Sequence, residues 1–440
     1  MATEGLCRGH VGLGAPASAA PVVIVGAGVC GLTVALRLAA LGTPSTVLER
    51  RRHTAPPASR PPGSAGDLVQ PSDLGIWDHA DRGVRARIET LGTRCEHAEL
   101  RWGRRLVHDI PAGQGDGGRR PVALPRPSLR GTLLQAARRN DLVDIRFGAR
   151  VLGVIQGPDD VTLVLDEDVV RAPWVVAADG PRSILRLSLG IAQSSMALRH
   201  VMVTLDLHGD RSLSPLGATT ISWFSPPSDR RSHLLVTPQP DDVWRLDWTY
   251  PHTVDLEADE RSGQLGDRVS ALIGSSGWTL STATIKRVAR HVAVTYRRGR
   301  VLLVGEAAHQ VTAPGGTGLG EGLRDAAAAA DTLAITLREP QVAESVLDRY
   351  ATARREAALA AAAGRLRAVR RRVPDAAPGR VFRSAALVAA PWSSAAQRYL
   401  GHPPSHTLID GPPDDVRPRT ATVPAPSSPP DAGHRQRERV

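Results

Sequence analysis

Near the N-terminus the apolar positions come in short unbroken runs separated by a helix-length amphipathic stretch, the pattern of a βαβ unit. Val22 to Val25 reads as a buried strand, Val29 to Leu41 as a helix ended by Gly42, and Thr46 to Glu49 as the next strand. A strand with no polar alternation is one covered on both faces, as in a parallel sheet between helices. Thr54 to Gly66, rich in proline, serine and glycine, predicts a loop. A turn at Gly113 to Gly118 follows a short β pair, Pro127 to Arg138 predicts a helix with Ser128 near its start, and short strands run between Ile145 and Ala178. From about 197 to 295 the texture changes. Four or five alternating segments, including Thr219–Phe224, His233–Val236 and Val243–Thr249, predict an antiparallel sheet. Val301 to Val304 returns to the first pattern. Gly318 to Leu337 predicts an alanine-rich helix, and Val342 to Val373 a long helix with arginine at many exposed positions.

These elements divide the chain into a flexible leader at 1–20, a discontinuous dinucleotide-binding domain at 21–195 and 296–340, an inserted substrate domain at 196–295, C-terminal helices at 341–400 and a disordered tail at 401–440. No internal repeat is present.

Composition narrows the class. Hydrophobic residues are 42% and charged residues 22% of a 440-residue chain, which is ordinary globular usage and enough for two sizeable cores. No apolar run approaches the roughly 18–20 residues of a membrane span, and no secretory pattern opens the chain. A soluble, cytoplasmic protein is expected. The net charge of +11 suggests a nucleic-acid partner. Lys286 is the only lysine, however, and no zinc-ligand spacing, RNA-binding aromatic motif or basic zipper accompanies the charge, so no nucleic acid is expected. Cys7, Cys30 and Cys95 are scattered and odd in number, giving neither a disulfide framework nor a metal set and fitting a reducing compartment. The basic stretch from Arg354 to Arg372 reads as a solvated helix face rather than a peripheral contact with an anionic membrane.

Three signatures carry the chemistry. Gly26-Ala27-Gly28-Val29-Cys30-Gly31 follows the first strand and opens the first helix. Its glycines allow a tight turn, close approach to a pyrophosphate and close helix packing, and the helix aims its first amides at phosphate. Glu49 ends the second strand, where a carboxylate accepts from both ribose hydroxyls of an adenosine; Arg50 follows it in the same site. Alone, this motif suits FAD and NAD equally. The second signature is Asp179-Gly180-Pro181-Arg182-Ser183. The third is Gly305-Glu306-Ala307-Ala308-His309, followed by Pro314-Gly315-Gly316-Thr317-Gly318. A simple NAD dehydrogenase has no need of this second glycine-rich turn far downstream, so the set favours one long cofactor, FAD.

With these motifs the chain resembles the class A flavoprotein monooxygenases, the para-hydroxybenzoate hydroxylase family, over about residues 1–355. The resemblance implies an α/β fold: a Rossmann-like FAD-binding domain of that (GR2) type, an inserted mainly antiparallel β-sheet substrate domain, and C-terminal helices. Asp179, Gly180, Ser183 and Arg186 fit the family's DGxxSxxR form, near the pyrophosphate. Arg126, in Pro125-Arg126-Pro127-Ser128-Leu129, matches the family's FAD-contacting arginine, whose guanidinium forks onto two pyrophosphate oxygens. The stretch Gly305 to Gly318 matches GDAAHxxxPxGGxG with Glu306 in place of the aspartate that holds a ribityl hydroxyl. Gly320 stands where the family has asparagine. Pro314, Gly316, Gly318 and Leu319 then contact the flavin largely through backbone. The helix from near Gly318 points its positive end at the pyrimidine edge, favouring the anionic reduced ring. His309 supports this loop. Gly66-Asp67-Leu68-Val69-Gln70-Pro71 resembles the segment that approaches the flavin edge in squalene-epoxidase-like and polyketide-type members. It offers Gln70 as a donor to the ring, or as a surface glutamine.

The resemblance implies FAD as resident cofactor, NAD(P)H as transient co-substrate and O2 as oxidant. It implies a single-component monooxygenase that hydroxylates or epoxidises a hydrophobic small molecule, polyketide-like, aromatic or prenylated, through a flavin C4a-hydroperoxide. A single dinucleotide fingerprint agrees with that scheme. No cysteine pair adjoins the cofactor motifs, against a disulfide reductase, and Trp244-Arg245-Leu246-Asp247-Trp248 does not match the halogenase Trp-x-Trp-x-Ile-Pro segment. Two alternatives stay open: a flavin reductase or dehydrogenase without oxygen transfer, and a degenerate FAD-binding partner protein, to which Glu306 and Gly320 point. Trp223, Phe224, Trp244, Trp248 and Tyr250 read either as pocket lining or as sheet core. Arg230, Arg231 and His233 read either as facing an acidic substrate or as a solvated hairpin. No catalytic residue and no metal site is assigned.

Overall fold

The computed structural model describes residues 20–52, 66–78, 81–95, 97–111, 121–209, 219–251, 258, 261, 263–273, 277–315 and 318–400. The leader (save residue 20), the loop at 54–66 (save Gly66), the turn at 113–118, Gly316 and the tail at 401–440 lie outside the described residues.

The buried run Val22–Val25 is an inner strand of a six-stranded sheet. The order is Arg297–Arg298, Val301–Leu303, Trp174–Ala177, Val22–Val25, Ser45–Glu49, Val143–Phe147, parallel throughout except at the Arg297–Arg298 edge. Helix Val29–Ala40 packs against helix Arg126–Arg138 and helix Gly318–Arg338. Helix Val29–Ala40 starts at Gly28 with no side-chain cap, so its first amides are open to a ligand at the carboxyl end of Val22–Val25. A three-stranded antiparallel sheet, Val151–Gln156, Val161–Leu165 and Val169–Ala172, adds Val161, Leu163 and Val170 to the same core.

The second large sheet has eight strands. In order they are His309–Thr312, Trp278–Ala293, Gln193–Gly209, Val243–Tyr250, His233–Gln239, Thr219–Phe224, His97–Trp102 and Arg105–Pro111. It is antiparallel except where Thr219–Phe224 runs parallel to His97–Trp102. The sheet therefore reaches beyond the 196–295 segment at both edges. The strands it recruits, 97–111 and 309–312, lie in sequence among elements of the parallel-sheet half, where local periodicity cannot reveal their partners.

Register sorts the two faces of this sheet. Val203 pairs with Trp248, Leu205 with Leu246 and Leu207 with Trp244; these side chains pack on Leu265, Val269 and Leu272 of helix Gln264–Ile273. Each fully buried large side chain contributes about 1.5–3 kcal/mol, so the helix-covered face anchors the sheet. Trp223, Trp244, Trp248 and Tyr250 all belong to this core, which settles them as packing rather than pocket lining. Phe224 joins a separate core with Leu100, Leu387 and Leu400. The opposite face is polar: Thr204 pairs with Asp247, and Asp206 with Arg245.

The C-terminal helices are Ala343–Arg372, Ala377–Ala389 and Ser394–Leu400. The long one buries Leu347, Tyr350, Ala358 and Leu366. Its arginines do not all face solvent. Arg367, Arg370 and Arg371 do, whereas the Arg354 side chain is 15% exposed and turns inward. Among the described residues no helix is long and apolar enough to cross a membrane.

Candidate active site

At the nucleotide end, two glycines are demanded by the protein itself and a third is not. Gly26 has φ +109°, and a Cβ there would lie 2.4 Å from the Ala178 carbonyl oxygen; a Cβ on Gly31 would lie 2.0 Å from the Gly26 oxygen. A Cβ on Gly28 meets nothing within 4 Å. Glu49 is buried. Its Oε2 accepts from the Ala27 amide at 3.1 Å and its Oε1 from the Arg51 amide at 3.0 Å. Each oxygen keeps a second lone pair for a hydroxyl donor. Arg50 is exposed. Arg130 was missed in the sequence. Its Nε donates to the Ala27 oxygen at 2.7 Å, and its Nη2 lies 3.8 Å from Glu49. The signal was its position one turn beyond Arg126 on the same helix.

The second and third motifs interlock. Ser183 Oγ accepts from the Arg186 amide at 3.0 Å, capping helix Ile184–Ser188. The Arg186 side chain then donates to the Ala307 oxygen at 3.0 Å, tying the Gly305 loop to the Asp179 loop. Asp179 Oδ2 accepts from the Leu185 amide at 3.2 Å, but its buried Oδ1 has no partner. Burial pushes that carboxyl up. Cys30 enters this arrangement through packing. A Cβ on Gly305 or Gly322 would lie 2.6 or 2.9 Å from its Sγ. Burial, then Asp325, pushes the thiol up to about 12, so it is inert as a nucleophile.

At the flavin end, the arginine fork is already taken. Arg126 Nε and Nη2 donate to Asp67 Oδ2 and Oδ1 at 2.8 and 2.9 Å, and Nη1 donates to Glu306 Oε1 at 3.2 Å. The bidentate pairing expected with pyrophosphate is made instead with Asp67, whose side chain is 1% exposed. The half-exposed Glu306 carboxylate faces Arg126. Gln70 is buried, not a surface residue, and its Nε2 lacks a partner. The Gly320 departure has a steric cause. A Cβ there would lie 2.8 Å from Asp73 Oδ2 and 3.3 Å from Arg324 Nη1. The Asp73–Arg324 pair, at 3.2 Å, fills the space an asparagine side chain needs. Pro314 and Leu319 are buried, and Gly318 opens helix Gly318–Arg338.

Two buried carboxylates hold the cofactor loop, and no motif announced either. Asp325 accepts from the Gly305 amide at 3.1 Å, from Arg354 Nε at 2.8 Å, and pairs with His309 Nε2 at 3.0 Å. His309 is thus committed to the loop's scaffold. Asp247, on the polar face of the eight-stranded sheet, accepts from the Gly315 amide at 2.9 Å and from Thr204 Oγ1 at 2.8 Å. Beside it, Arg245 forks onto Asp206 at 2.9 and 2.7 Å and donates to the Gly66 oxygen at 2.9 Å. The polar face therefore adjoins both the Gly315 turn and the segment carrying Gln70.

Burial pushes the Asp247 carboxyl up, against the pull of the Gly315 hydrogen bond and Arg245. A carboxyl raised by folding contributes stability that is present below its unfolded pKa of about 3.9 and is lost as pH rises through the folded value. Asp247→Asn cannot ionise and still accepts from Gly315. Its urea midpoint is expected to fall less than the wild-type midpoint as pH rises from 4 to 7. Parallel profiles would show that Asp247 does not titrate in this range.

The fold and the site together define a flavoprotein of the para-hydroxybenzoate hydroxylase type. The chain belongs to the FAD binding domain family, which matches residues 19–364. A Streptomyces coelicolor protein named for polyketide hydroxylation is 29% identical over 393 residues, covering 82% of this chain and 58% of that protein. This chain therefore spans less than two thirds of that relative's length. Para-nitrophenol 4-monooxygenase of a Pseudomonas strain is 27% identical over 348 residues, covering 76% of this chain and 82% of that enzyme. The crystal structure of p-nitrophenol 4-monooxygenase from Pseudomonas putida shares the fold with a TM-score of 0.72 at 24% identity, over 86% of this chain and 96% of that one.

The residues fit FAD on their own evidence. The Gly28 turn is open, its amides are uncapped, and Asp179 Oδ1 and Gln70 Nε2 are buried polar atoms without partners. Buried polar groups are rarely left unpaired, so one orphan beside the glycine turn, Asp179, and another in the separate segment after Gly66–Val69, Gln70, suit a ligand long enough to reach both.

Proposed function

We propose that this chain is a single-component FAD-dependent monooxygenase that takes electrons from NAD(P)H and inserts one atom of O2 into a hydrophobic, aromatic or polyketide-like small molecule. The observation that carries the cofactor half is the open, uncapped Gly28 turn with the orphaned Asp179 atom beside its motif. Relatives named for polyketide hydroxylation and for para-nitrophenol oxygenation support the substrate half.

Bound FAD supplies the redox chemistry and the activation of dioxygen. The chain's own residues bind, orient and shield. Glu49 accepts from the adenosine ribose, and the uncapped amides after Gly28 take the phosphates. Gln70, whose buried Nε2 has no partner, would donate to the flavin. The amino end of helix Gly318–Arg338 would favour negative charge on a bound flavin. The polar sheet face, with Thr204, Asp247 and Arg245, covers the substrate space and excludes water from it. A cytoplasmic setting belongs to this reading, in keeping with the thiol of Cys30.

The protein is expected to purify yellow and to release FAD on heating at close to one per chain. NAD(P)H oxidation is expected to rise on adding an aromatic or polyketide-like substrate, and 18O from labelled dioxygen is expected in the product. Label confined to water would favour a reductase or dehydrogenase. A colourless protein that cannot be reconstituted would sink the flavoenzyme reading altogether.

A further inference from the structure

The polar face of the eight-stranded sheet also carries a buried histidine, near which stand two arginines with no acidic partner among the described residues. His233 lies on this face. It pairs with Thr249, two residues along from Leu235, the partner of Asp247. That places it about 7 Å along the strand from the position facing the Gly315 turn. His233 is fully buried; its Nε2 is 2.8 Å from Ser222 Oγ, and its Nδ1 has no partner.

Two arginines from the C-terminal helices stand near it. Arg383, 6% exposed, donates from Nη1 to the Arg372 oxygen at 2.9 Å and from Nη2 to Ser225 Oγ at 3.1 Å, and its buried Nε has no partner. Ser225 holds a left-handed backbone, φ +48°, next to this contact. Arg372 ends the long helix, and its Nε is likewise buried without a partner. Burial pulls the Arg372 guanidinium down to about 10, with no carboxylate opposing it. Burial and then Arg372 and Arg383 hold His233 well below its ordinary value, so it is neutral. The chain beyond Arg372 walls a cavity of about 310 Å³, lined by Arg231, Pro251, Pro374, Asp375 and Arg380. Asp375 is half exposed there, with its carboxylate 3.6 Å from His200 Nε2.

Helix C-termini favour cations, which accounts for exposed Arg370 and Arg371. It does not account for turning the next arginine inward, with its Nε buried beside Arg383. A buried charge is tolerated when a partner of opposite sign completes it, and no acidic side chain among the described residues does so here. Arg230 and Arg231 are exposed on the hairpin, while His233 and Arg383 are buried and Arg372 is partly buried.

We propose that Arg372, Arg383 and His233 form an anion subsite that takes a carboxylate on the substrate, so that the enzyme acts on hydrophobic molecules bearing an acid group. This rests on the monooxygenase reading above. The carboxylate accepts from the two guanidinium groups, the short charge-assisted pairing guanidinium favours. The hydrophobic body lies along the sheet face toward Asp247 and the Gly315 turn. Arg231 at the cavity draws the acid in.

The test is isothermal titration of the FAD-loaded protein with 2-naphthoate and its neutral isostere 2-naphthamide. Naphthoate is expected to bind at least about tenfold tighter. Arg372→Met is expected to erase the preference while leaving naphthamide affinity unchanged, and Arg372→Lys to restore part of it. In the ligand-free protein, Arg372→Met is expected to raise the Tm, because it removes an uncompensated charge; a purely structural arginine would lower it. Equal affinity for the two probes, no binding of either, a preference that survives in both Arg372→Met and Arg383→Gln, or a lower Tm in Arg372→Met would each overturn the proposal. A protein that prefers naphthoate but cannot hold FAD would keep the subsite and lose the flavoenzyme; full FAD occupancy with equal affinities would do the reverse.

Discussion

Gly28→Ala is expected to fold as well as the wild type and to lose FAD, whereas Gly31→Ala is expected to lose both stability and FAD. The two glycines lie three residues apart in one motif, but their surroundings differ. The Gly31 Cβ would sit 2.0 Å from the Gly26 carbonyl oxygen, a backbone atom with no rotamer to escape into. Accommodating it means prying the turn from the helix, a strain of about 1–3 kcal/mol or more. The Gly28 Cβ meets nothing within 4 Å, and Gly28 has φ −79°, which any residue adopts. Its thermal stability without cofactor should stay within about 0.5 kcal/mol of wild type. If a pyrophosphate occupies that open space, the added methyl displaces it. A loss of about 100-fold in FAD affinity, or about 2.7 kcal/mol, is expected. Calorimetry of the cofactor-free proteins and fluorescence titration with FAD separate the two effects. Full FAD binding by Gly28→Ala would show that the phosphates do not lie against this turn.

Asp325→Ala is expected to destabilise the protein by about 3–5 kcal/mol at pH 7, because it breaks a buried ion pair, leaves Arg354 with Glu321 alone, and removes the acceptor of the Gly305 amide. Burial alone pushes the Asp325 carboxyl up, but the charges and hydrogen bonds of Arg354 and His309 hold it below the usual range. A carboxyl lowered by folding contributes stability that is present above its unfolded pKa of about 3.9 and is lost as pH falls through the folded value. The wild type should therefore lose stability through this acid range, while Asp325→Ala has less left to lose. Arg354→Met should be costly too, since it leaves Asp325 buried and one partner short. The double variant should cost less than the sum of the two, as for groups that act as a pair. Urea unfolding of the four proteins closes this cycle. Strict additivity would mean that Arg354 and Asp325 do not stabilise one another.

The same network explains how a helix outside the nucleotide-binding elements serves the cofactor. Arg354 pairs with both Asp325 and Glu321; Glu321 pairs with Arg324, which pairs with Asp73 three residues beyond Gln70. This chain of charges links the Gly305 loop to the Gln70 segment. The Gly320 departure belongs to the same chain, because the Asp73–Arg324 pair occupies that volume. The degenerate reading that Gly320 encouraged is thereby weakened: the missing side chain is replaced by packing.

Much of the nucleotide site was legible in the sequence, for a physical reason. A buried strand, a glycine turn and a helix are decided by neighbours within a few residues, so Val22–Val25, the Gly26 to Gly31 turn and the helix beyond it could be read directly. The Ser183–Arg186 cap lies within one turn and is legible as a motif, although its tie to Ala307 is not. What tertiary structure alone decided depends on register and on contacts far apart in the chain. Trp244 and Trp248 became core because the pairing of Leu207 and Val203 turned them toward helix Gln264–Ile273. Asp67 took the Arg126 fork across 59 residues, and Asp247 met Gly315 across 68. Arg372 and Arg383 met His233 only because the C-terminal helices fold back over the sheet. Isolated acids and arginines carry no local periodicity, and a side chain's role then follows from which distant charge or amide the fold brings to it.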